Sequence, residues 1–319
     1  MSRYLAGRLA ETLIVTLLMS FLIYGLIGLM PGDPIDLMLN ADPRLRPEDA
    51  ARLRALYGLD VPLGDRYLNW LTAALQGDFG YSRLYAQPVL QVLGPALGNS
   101  LTLLGISFVL ALAIALPVGV YAALRPRSVT DHAINLLCFA GISVPPFWLA
   151  LLLIMLFAVT LGWLPAGGVG TIGGSGFGDW LAHLVLPVAT LTLASVAGYT
   201  RFVRASVIEA LRQDYVRTAR AKGASVARVL IHHALRNALL PVVTIIALNF
   251  GALVSGALIT ETMYAYPGMG RLIYDAIMGN DYNLALVALL LATVLTLLAN
   301  LAADVAYGAL DPRISLGTT

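Results

Sequence analysis

The sequence predicts an all-α, multi-pass membrane protein of six transmembrane helices. Both termini are expected on the cytoplasmic side, with a mainly helical extracytoplasmic insert after the first span. Three observations predict this. Apolar residues make up 59% of the chain and charged residues 12%, about half the charged share of a soluble domain. Apolar runs near or above ~18 residues recur, the length that crosses a roughly 30 Å hydrocarbon core. Arginine and lysine in the short loops fall almost entirely on one side.

The spans are expected at about 9–30, 99–124, 134–161, 181–200, 239–260 and 284–308. Each must be helical, because a segment alone in lipid has to satisfy its own backbone. Arg3 and Arg8 ahead of the first apolar run resemble a signal peptide. That run is too long for one, and it ends in Pro31-Gly32-Asp33-Pro34 rather than a small-residue cleavage site, so it reads as a retained span. Of the short-loop cations, thirteen lie on the side of the N-terminus and one, Arg271, on the other. The excess marks the cytoplasmic side. The first loop, about 31–98, is long enough to cross regardless of its charge. In it, Pro47, Glu48 and Asp49 suit a helix start and Gly58 its end. A second helix is expected with Asp65 as its cap, Leu68, Leu71 and Leu75 on its apolar face, and Gly77 at its stop.

The span centres hold no Asp, Glu, Lys, Arg or His; Glu11, Asp131, Glu261 and Asp304 fall near span ends. This argues against proton-coupled transport, voltage sensing and intramembrane hydrolysis, all of which need ionisable groups at depth. The single Cys138 permits no internal disulfide, and adjacent His232 and His233 do not make a metal pair on one helix face. The single lysine, Lys222, is followed by Gly223 and Ala224, so no phosphate loop is present. No catalytic residue, cofactor or metal is expected, and an ATP motor would have to be a separate subunit. The spans offer instead Ser143, Thr190, Thr192, Ser195, Thr244, Asn249 and Ser255. Ser143, Thr190, Thr192, Ser195, Asn249 and Ser255 are the candidates for lining a solute path, with packing as the alternative role for each. Small residues at Ala111/Ala115/Gly119, Gly251/Ser255 and Ala252/Gly256 permit close helix approach. Ser143, Pro145 and Pro146 interrupt the third span.

The most charged stretch is Arg201 to Arg236, with eight cations and two acids, Glu209 and Asp214. Its spacing predicts a helix over 202–222. Val207, Ile208, Leu211, Tyr215 and Ala219 lie on one face and Arg204, Arg212, Arg217 and Arg220 off it. Gly223 ends that helix in a left-handed conformation, and Ser225 caps a second helix over 226–237. Two uses remain open from spacing alone: positive charge on a surface-lying segment, or a handle for a cytoplasmic partner. Nucleic acid is a poor partner, since the loop is tethered at the bilayer between two spans.

At these residues the chain resembles a known family. ARAKG (219–223) followed by RNALLP (236–241) resembles the cytoplasmic loop of binding-protein-dependent ABC importer permeases, in the dipeptide, oligopeptide and nickel branch. PGDP (31–34), YGLDVPLGDRYLNWL (57–71), GDFGYS (77–82), SVPPFW (143–148), GWLPAGG (162–168), ETMYAYPGMGRLIYDAIMGNDY (261–282) and LDPRI (310–314) resemble, in order, segments of that branch's first permease subunit. The broader family has Glu-Ala-Ala before the glycine. Here Arg217, Thr218 and Ala219 stand there, which leaves an acidic contact to come from elsewhere, for instance Asp214. The resemblance implies one permease domain over 1–319, with a membrane core at about 99–308 and a coupling loop at about 201–238. It also implies a heterodimer with a second homologous permease, two cytoplasmic ATPase subunits, an external solute-binding protein and an inner-membrane location. Asp214, Tyr215, Arg217, Ala219, Arg220, Ala221, Lys222 and Gly223 would form the ATPase-docking helix. Peptides are the expected solute, with nickel chelates, glutathione or opine-like compounds as alternatives on the same architecture. A stand-alone channel or an intramembrane enzyme is the alternative outside it.

Overall fold

A computed structural model describes residues 2–29, 46, 52, 60–174, 176–235, 237–239 and 257–310. The expectations at 31–34, at Pro47, Glu48, Asp49 and Gly58, and at Pro241, Thr244, Asn249, Gly251, Ala252, Ser255 and Gly256, lie outside these residues.

The described chain is almost entirely helical. Helix α1 is Ser2–Gly28, α2 Leu63–Leu75 and α3 Val89–Leu124, with a two-residue-per-strand hairpin (β1 Tyr81–Ser82, β2 Gln87–Pro88) between α2 and α3. Next come α4 Val129–Ser143 and α5 Pro146–Leu153, which widens into a π-type turn at Ile154–Thr160. Helix α6 is Phe177–Leu211 and α7 Asp214–Ala221. A short helix α8, Val226–Arg228, opens into π-type turns over Val229–Ala234. Helices α9 Leu258–Met263, α10 Met269–Met278 and α11 Tyr282–Leu310 complete the order.

Among the described residues, four stretches are long and apolar enough to cross a membrane: Gly7–Gly28, Val89–Leu124, Phe177–Leu211 and Tyr282–Ala302. The α4–α5 pair would make a fifth, bent by 96°. The interruption at Ser143, Pro145 and Pro146 is thus a right-angle break. Pro146 starts the new helix, where its missing N–H matters least, and Val144 and Pro145 are extended, as residues before a proline tend to be.

Other boundaries correct the sequence expectations. The second span's helix begins at Val89 rather than 99, so the end of the long first loop is already helical. The fourth span's helix does not stop near 200. It continues to Leu211, and the helix expected over 202–222 is broken at Arg212–Gln213. In α2, Pro62 precedes the first turn, no side chain caps it, and Asp65 lies inside that turn. The inward face of α2 is Tyr67, partly with Trp70, whereas Leu68 and Leu75 are exposed. The aromatic residues win because they have partners. Tyr67 sits edge-on to Phe21 and Tyr24 of α1, at 5.2 and 5.6 Å between centroids, and its hydroxyl is 2.8 Å from Ser20 Oγ. Gly77, at φ +87°, terminates α2 as expected.

Helices α3 and α6 pack on each other along their length, and small residues allow it. Ala111 and Ala115 are fully buried, and a side chain at Gly119 would lie 2.8 Å from the carbonyl oxygen of Thr200 and from Val203 Cβ. This is the close approach expected from the small-residue spacing. One apolar cluster joins Ile23 and Ile27 of α1, Val89, Leu93 and Ala96 of α3, Met269, Leu272 and Ala276 of α10, and the first turns of α11. A second joins Leu103, Ala150, Leu184, Leu186 and Val188 to Tyr264 and Tyr266. A third gathers Ala123, Val203, Val207, Ala210, Ala234 and Ala238 where α3 and α6 meet the turns after α8.

Candidate functional site

The basic stretch forms a small helical module. Helix α7 begins at Asp214, after an extended Gln213, and ends in a glycine-capped turn. Gly223 has φ +80°; its N–H bonds the Arg220 carbonyl at 2.9 Å, and the Ala224 N–H reaches back to Ala219 at 3.1 Å. This pair of bonds is the Schellman closure, which needs a left-handed residue and favours glycine. Ser225 Oγ accepts from the Arg228 N–H at 3.4 Å and caps the next helix, as its position predicts.

One face of α7 is anchored. Val216 is fully buried and Ala219 nearly so, packed on Val229, with Ala224 at the edge. The anchoring face is therefore Val216/Ala219, one residue away from the expected Tyr215/Ala219. Everything else on the helix faces outward: Asp214, Tyr215, Arg217, Arg220, Ala221, Lys222 and Gly223 are exposed. Arg217 pairs with Asp214 one turn back, both side chains being largely exposed. An exposed pair of this kind contributes little to stability. The outward face thus presents cations, one acid and a tyrosine on a helix that a small apolar cluster holds in place.

The residues set out for a solute path are dispersed. Ser143 is exposed at the α4–α5 break, its hydroxyl bonded to the Phe139 carbonyl at 2.8 Å. Ser195 is half-buried on α6. Thr190 is fully buried, 2.8 Å from the Tyr264 hydroxyl, and Thr192 is buried, donating to the Ser107 carbonyl at 3.3 Å.

Tyr264 belongs to a buried polar knot that residue-by-residue reading missed. Glu261 is completely buried. Its Oε1 accepts from Ser100 Oγ at 2.5 Å and from the Ala257 N–H at 3.2 Å, and its Oε2 accepts from the Arg271 N–H at 3.0 Å. Ser100 Oγ in turn accepts from the Met269 N–H at 2.8 Å, and Asn99 donates to the Pro267 carbonyl at 2.9 Å. A side chain at Gly268 would lie 2.3 Å from the Glu261 carboxyl carbon, and one at Gly167 would lie 2.3 Å from the Tyr264 carbonyl oxygen. The knot fastens the α9–α10 turn to α3 through Ser100 and to the 162–168 loop through Tyr264. The glycines in the quoted strings GWLPAGG and ETMYAYPGMG carried that signal, because two backbones can approach so closely only where there is no side chain. Burial pushes the phenol of neighbouring Tyr266 up to about 12, and the Glu261 carboxyl adds to the shift.

A second long-range join ties the hairpin to α11. Ser82 Oγ donates to Asp281 Oδ2 at 2.6 Å, the Leu84 N–H reaches the same oxygen at 3.0 Å, and Asp281 Oδ1 accepts the Leu284 N–H at the start of α11. GDFGYS and the end of ETMYAYPGMGRLIYDAIMGNDY, about 200 residues apart in sequence, are thereby in contact.

Comparison with known proteins places this architecture. The family model described as "Binding-protein-dependent transport system inner membrane component" matches residues 115–316. The chain is 39% identical over 316 residues to the oligopeptide transport system permease protein AppB of Bacillus subtilis, covering 98% of this chain and 99% of that one. It is 35% identical over 336 aligned positions to the dipeptide transport system permease protein DppB of Escherichia coli K12, again covering 98% and 99%. Among solved structures, an inward-facing MetNI methionine ABC transporter contains a chain that superposes with a TM-score of 0.56 at 20% identity. The superposition covers 70% of this chain and 98% of that one, and this likeness is one of fold.

Proposed function

We propose a function from one premise: the chain belongs to the family of binding-protein-dependent transport system inner membrane components. It is a multi-pass protein of the bacterial inner membrane. It acts as a permease subunit of an ATP-driven importer that brings short peptides into the cell. The observation that carries this is similarity along nearly the whole chain, at 35–39% identity, to permeases named for dipeptide and oligopeptide transport.

The bundle has six spans in this proposal, with both termini cytoplasmic. Four long helices and the bent pair account for five, and the apolar stretch at 239–260, fifth in chain order, completes the six. The chain pairs with a second, homologous permease and receives solute from an external binding protein. It performs no bond chemistry itself. The outward face of α7, with Gly223 as its hinge, enters a cleft on an ATPase subunit, and Asp214 supplies the acidic contact that the Arg217-Thr218-Ala219 sequence lacks. Support comes from the shape of this module: a short charged helix, fixed by one small apolar cluster and otherwise exposed. ATP-driven closure of the ATPases moves the helix and shifts the bundle between two states, by making different contacts in each. Ser143 and Ser195 keep surface in the present conformation; Thr190 and Thr192 join the path when the helices around them part. Asn249 and Ser255 line it from the fifth span.

Uptake of radiolabelled di- and tripeptides by cells with and without this subunit tests the proposal. Loss of uptake on deletion is expected. Gly223→Val should lower uptake about tenfold or more at unchanged membrane abundance, since a β-branched residue does not take a left-handed φ. Peptide uptake that survives deletion, or solute flux through the purified chain without an ATPase, would overturn it.

A further inference from the structure

Asp131 is a buried carboxylate with a full set of partners. Its side chain is 2% exposed. Arg204 grips it with two prongs, Nε to Oδ1 at 2.6 Å and Nη2 to Oδ2 at 2.6 Å. The Arg127 N–H adds a bond to Oδ2 at 2.8 Å, and Asn135 Nδ2 one to Oδ1 at 2.9 Å. Arg127 itself is held at φ +65°, a conformation a non-glycine residue seldom takes and one that tends to occur where surrounding contacts impose it. Sequence spacing places Arg204 off the packed face of its helix; instead it reaches sideways from α6 to the first turn of α4.

This pair sits where two mechanical elements meet. Arg204 lies about two turns before α6 ends at Leu211, and α6 leads straight into the docking helix. The step across Arg212–Gln213 is closed by Arg212 N–H to Glu209 at 3.1 Å and Gln213 N–H to Ala210 at 3.3 Å. On the other side, α4 leads into the 96° break before α5. Two further contacts align the helices antiparallel: the Arg201 guanidinium lies 4.3 Å from the centre of the Phe139 ring, and a side chain at Gly141 would lie 3.2 Å from Ala197 Cβ.

Stability is a weak reason for such a pair. Burying two charges sacrifices hydration, and replacing a buried ion pair by apolar groups is often neutral. A two-pronged guanidinium–carboxylate contact does fix distance and rotation between its two helices. We propose that Asp131 and Arg204 are positioning residues that form the strut by which displacement of the docking helix is carried from α6 through α4 to the bent pair. This rests on the reading of 214–223 as the ATPase-docking helix. In it, α4 and α6 move as one unit, and the break at 143–146 is where the motion is taken up.

The test uses the assembled importer in proteoliposomes with Cys138→Ala as the parent, reading uptake of a radiolabelled tripeptide per ATP hydrolysed. Asp131→Ala combined with Arg204→Ala removes the strut without leaving a lone buried charge; the ratio should fall about tenfold while ATP hydrolysis continues. Gly141→Cys with Ala197→Cys then supplies a covalent tie between the same helices, at a Cβ separation near the roughly 3.5–4.5 Å of disulfides. Oxidation should restore the ratio in the strutless variant, and reduction should remove it again. A purely structural role would not give that reversible rescue. Three results overturn the strut: an unchanged ratio in the strutless variant, no rescue on oxidation, or loss of uptake when the tie is oxidised with Asp131 and Arg204 intact. This last arm decides the matter even if the double variant fails to assemble. A parent complex without ATP-dependent uptake would instead remove the importer reading itself, and the strut with it.

Discussion

Two polar regions of this molecule behave in opposite ways. Around Glu261, a carboxyl group is wholly buried and every bond it accepts comes from a defined donor: Ser100, the Ala257 N–H and the Arg271 N–H. Around α7, the charges of Asp214, Arg217, Arg220 and Lys222 stand in the open, held to the body by Val216, Ala219 and Val229. In the first region polar groups set the shape of the protein, because a buried group left without its partner costs about 1–3 kcal/mol. In the second they add little to the fold and stay exposed. The charge density that draws the eye in the sequence therefore lies on the proposed contact surface, and the inconspicuous acid near a span end marks the structural fastening.

That contrast predicts a ranking of effects on stability. The largest belongs to Gly268→Ala. The added methyl would collide with the Glu261 carboxyl at 2.3 Å, and displacing it strands buried hydrogen-bonding groups, a loss of about 1–3 kcal/mol for each group left without its partner. Thermal unfolding in detergent measures it, and a change under about 1 kcal/mol would show that the knot is not a fastening. Next is Tyr264→Phe, which removes the hydroxyl shared with Thr190. A loss near 1 kcal/mol is expected by the same assay; no loss would mean that the ring alone does the packing.

A smaller effect appears at high pH. Tyr266 has its pKa raised from the ordinary 10.0 to about 12, chiefly by burial and then by Glu261. An acid with a raised folded pKa contributes stability that is complete below the unfolded value and is lost as pH rises from about 10 to about 12. Tyr266→Phe should flatten part of the decline in that window, seen by comparing unfolding temperatures at pH 9 and 11. A decline of identical slope in both proteins would assign it to other tyrosines. The smallest effect is Arg217→Ala, where both partners of the lost pair are exposed. Unfolding temperature should not move, while recovery of the ATPase subunit with the purified permease should drop. A clear loss of stability would place Arg217 in the fold rather than on the contact surface.

Several features were legible because they follow from local chemistry. Gly223 ends a helix in left-handed geometry, Ser225 caps the next one, Ser143, Pro145 and Pro146 interrupt the third span, and Ala111, Ala115 and Gly119 let α3 and α6 close up. Each needs only the residue and its near neighbours. The expectations that moved depended on distant partners. Leu68 and Leu75 lie on the apolar arc of α2, yet Tyr67 turns inward because Phe21, Tyr24 and Ser20 of α1 await it. Arg204 has the period of an outward residue, yet Asp131 lies beside it on another helix. Ser82 and Asp281 carry nothing in the intervening chain to announce their bond.

The amino-acid sequence by itself determined that this chain lives in a bilayer as helices, and where its short charged helix α7 stops. Hydropathy, charge bias and glycine geometry act over a few residues and need no knowledge of the rest. Tertiary structure alone decided which charges are sealed in and which are offered outward. That choice depends on groups brought together from up to about 200 positions apart, and no periodicity within one helix encodes its neighbour.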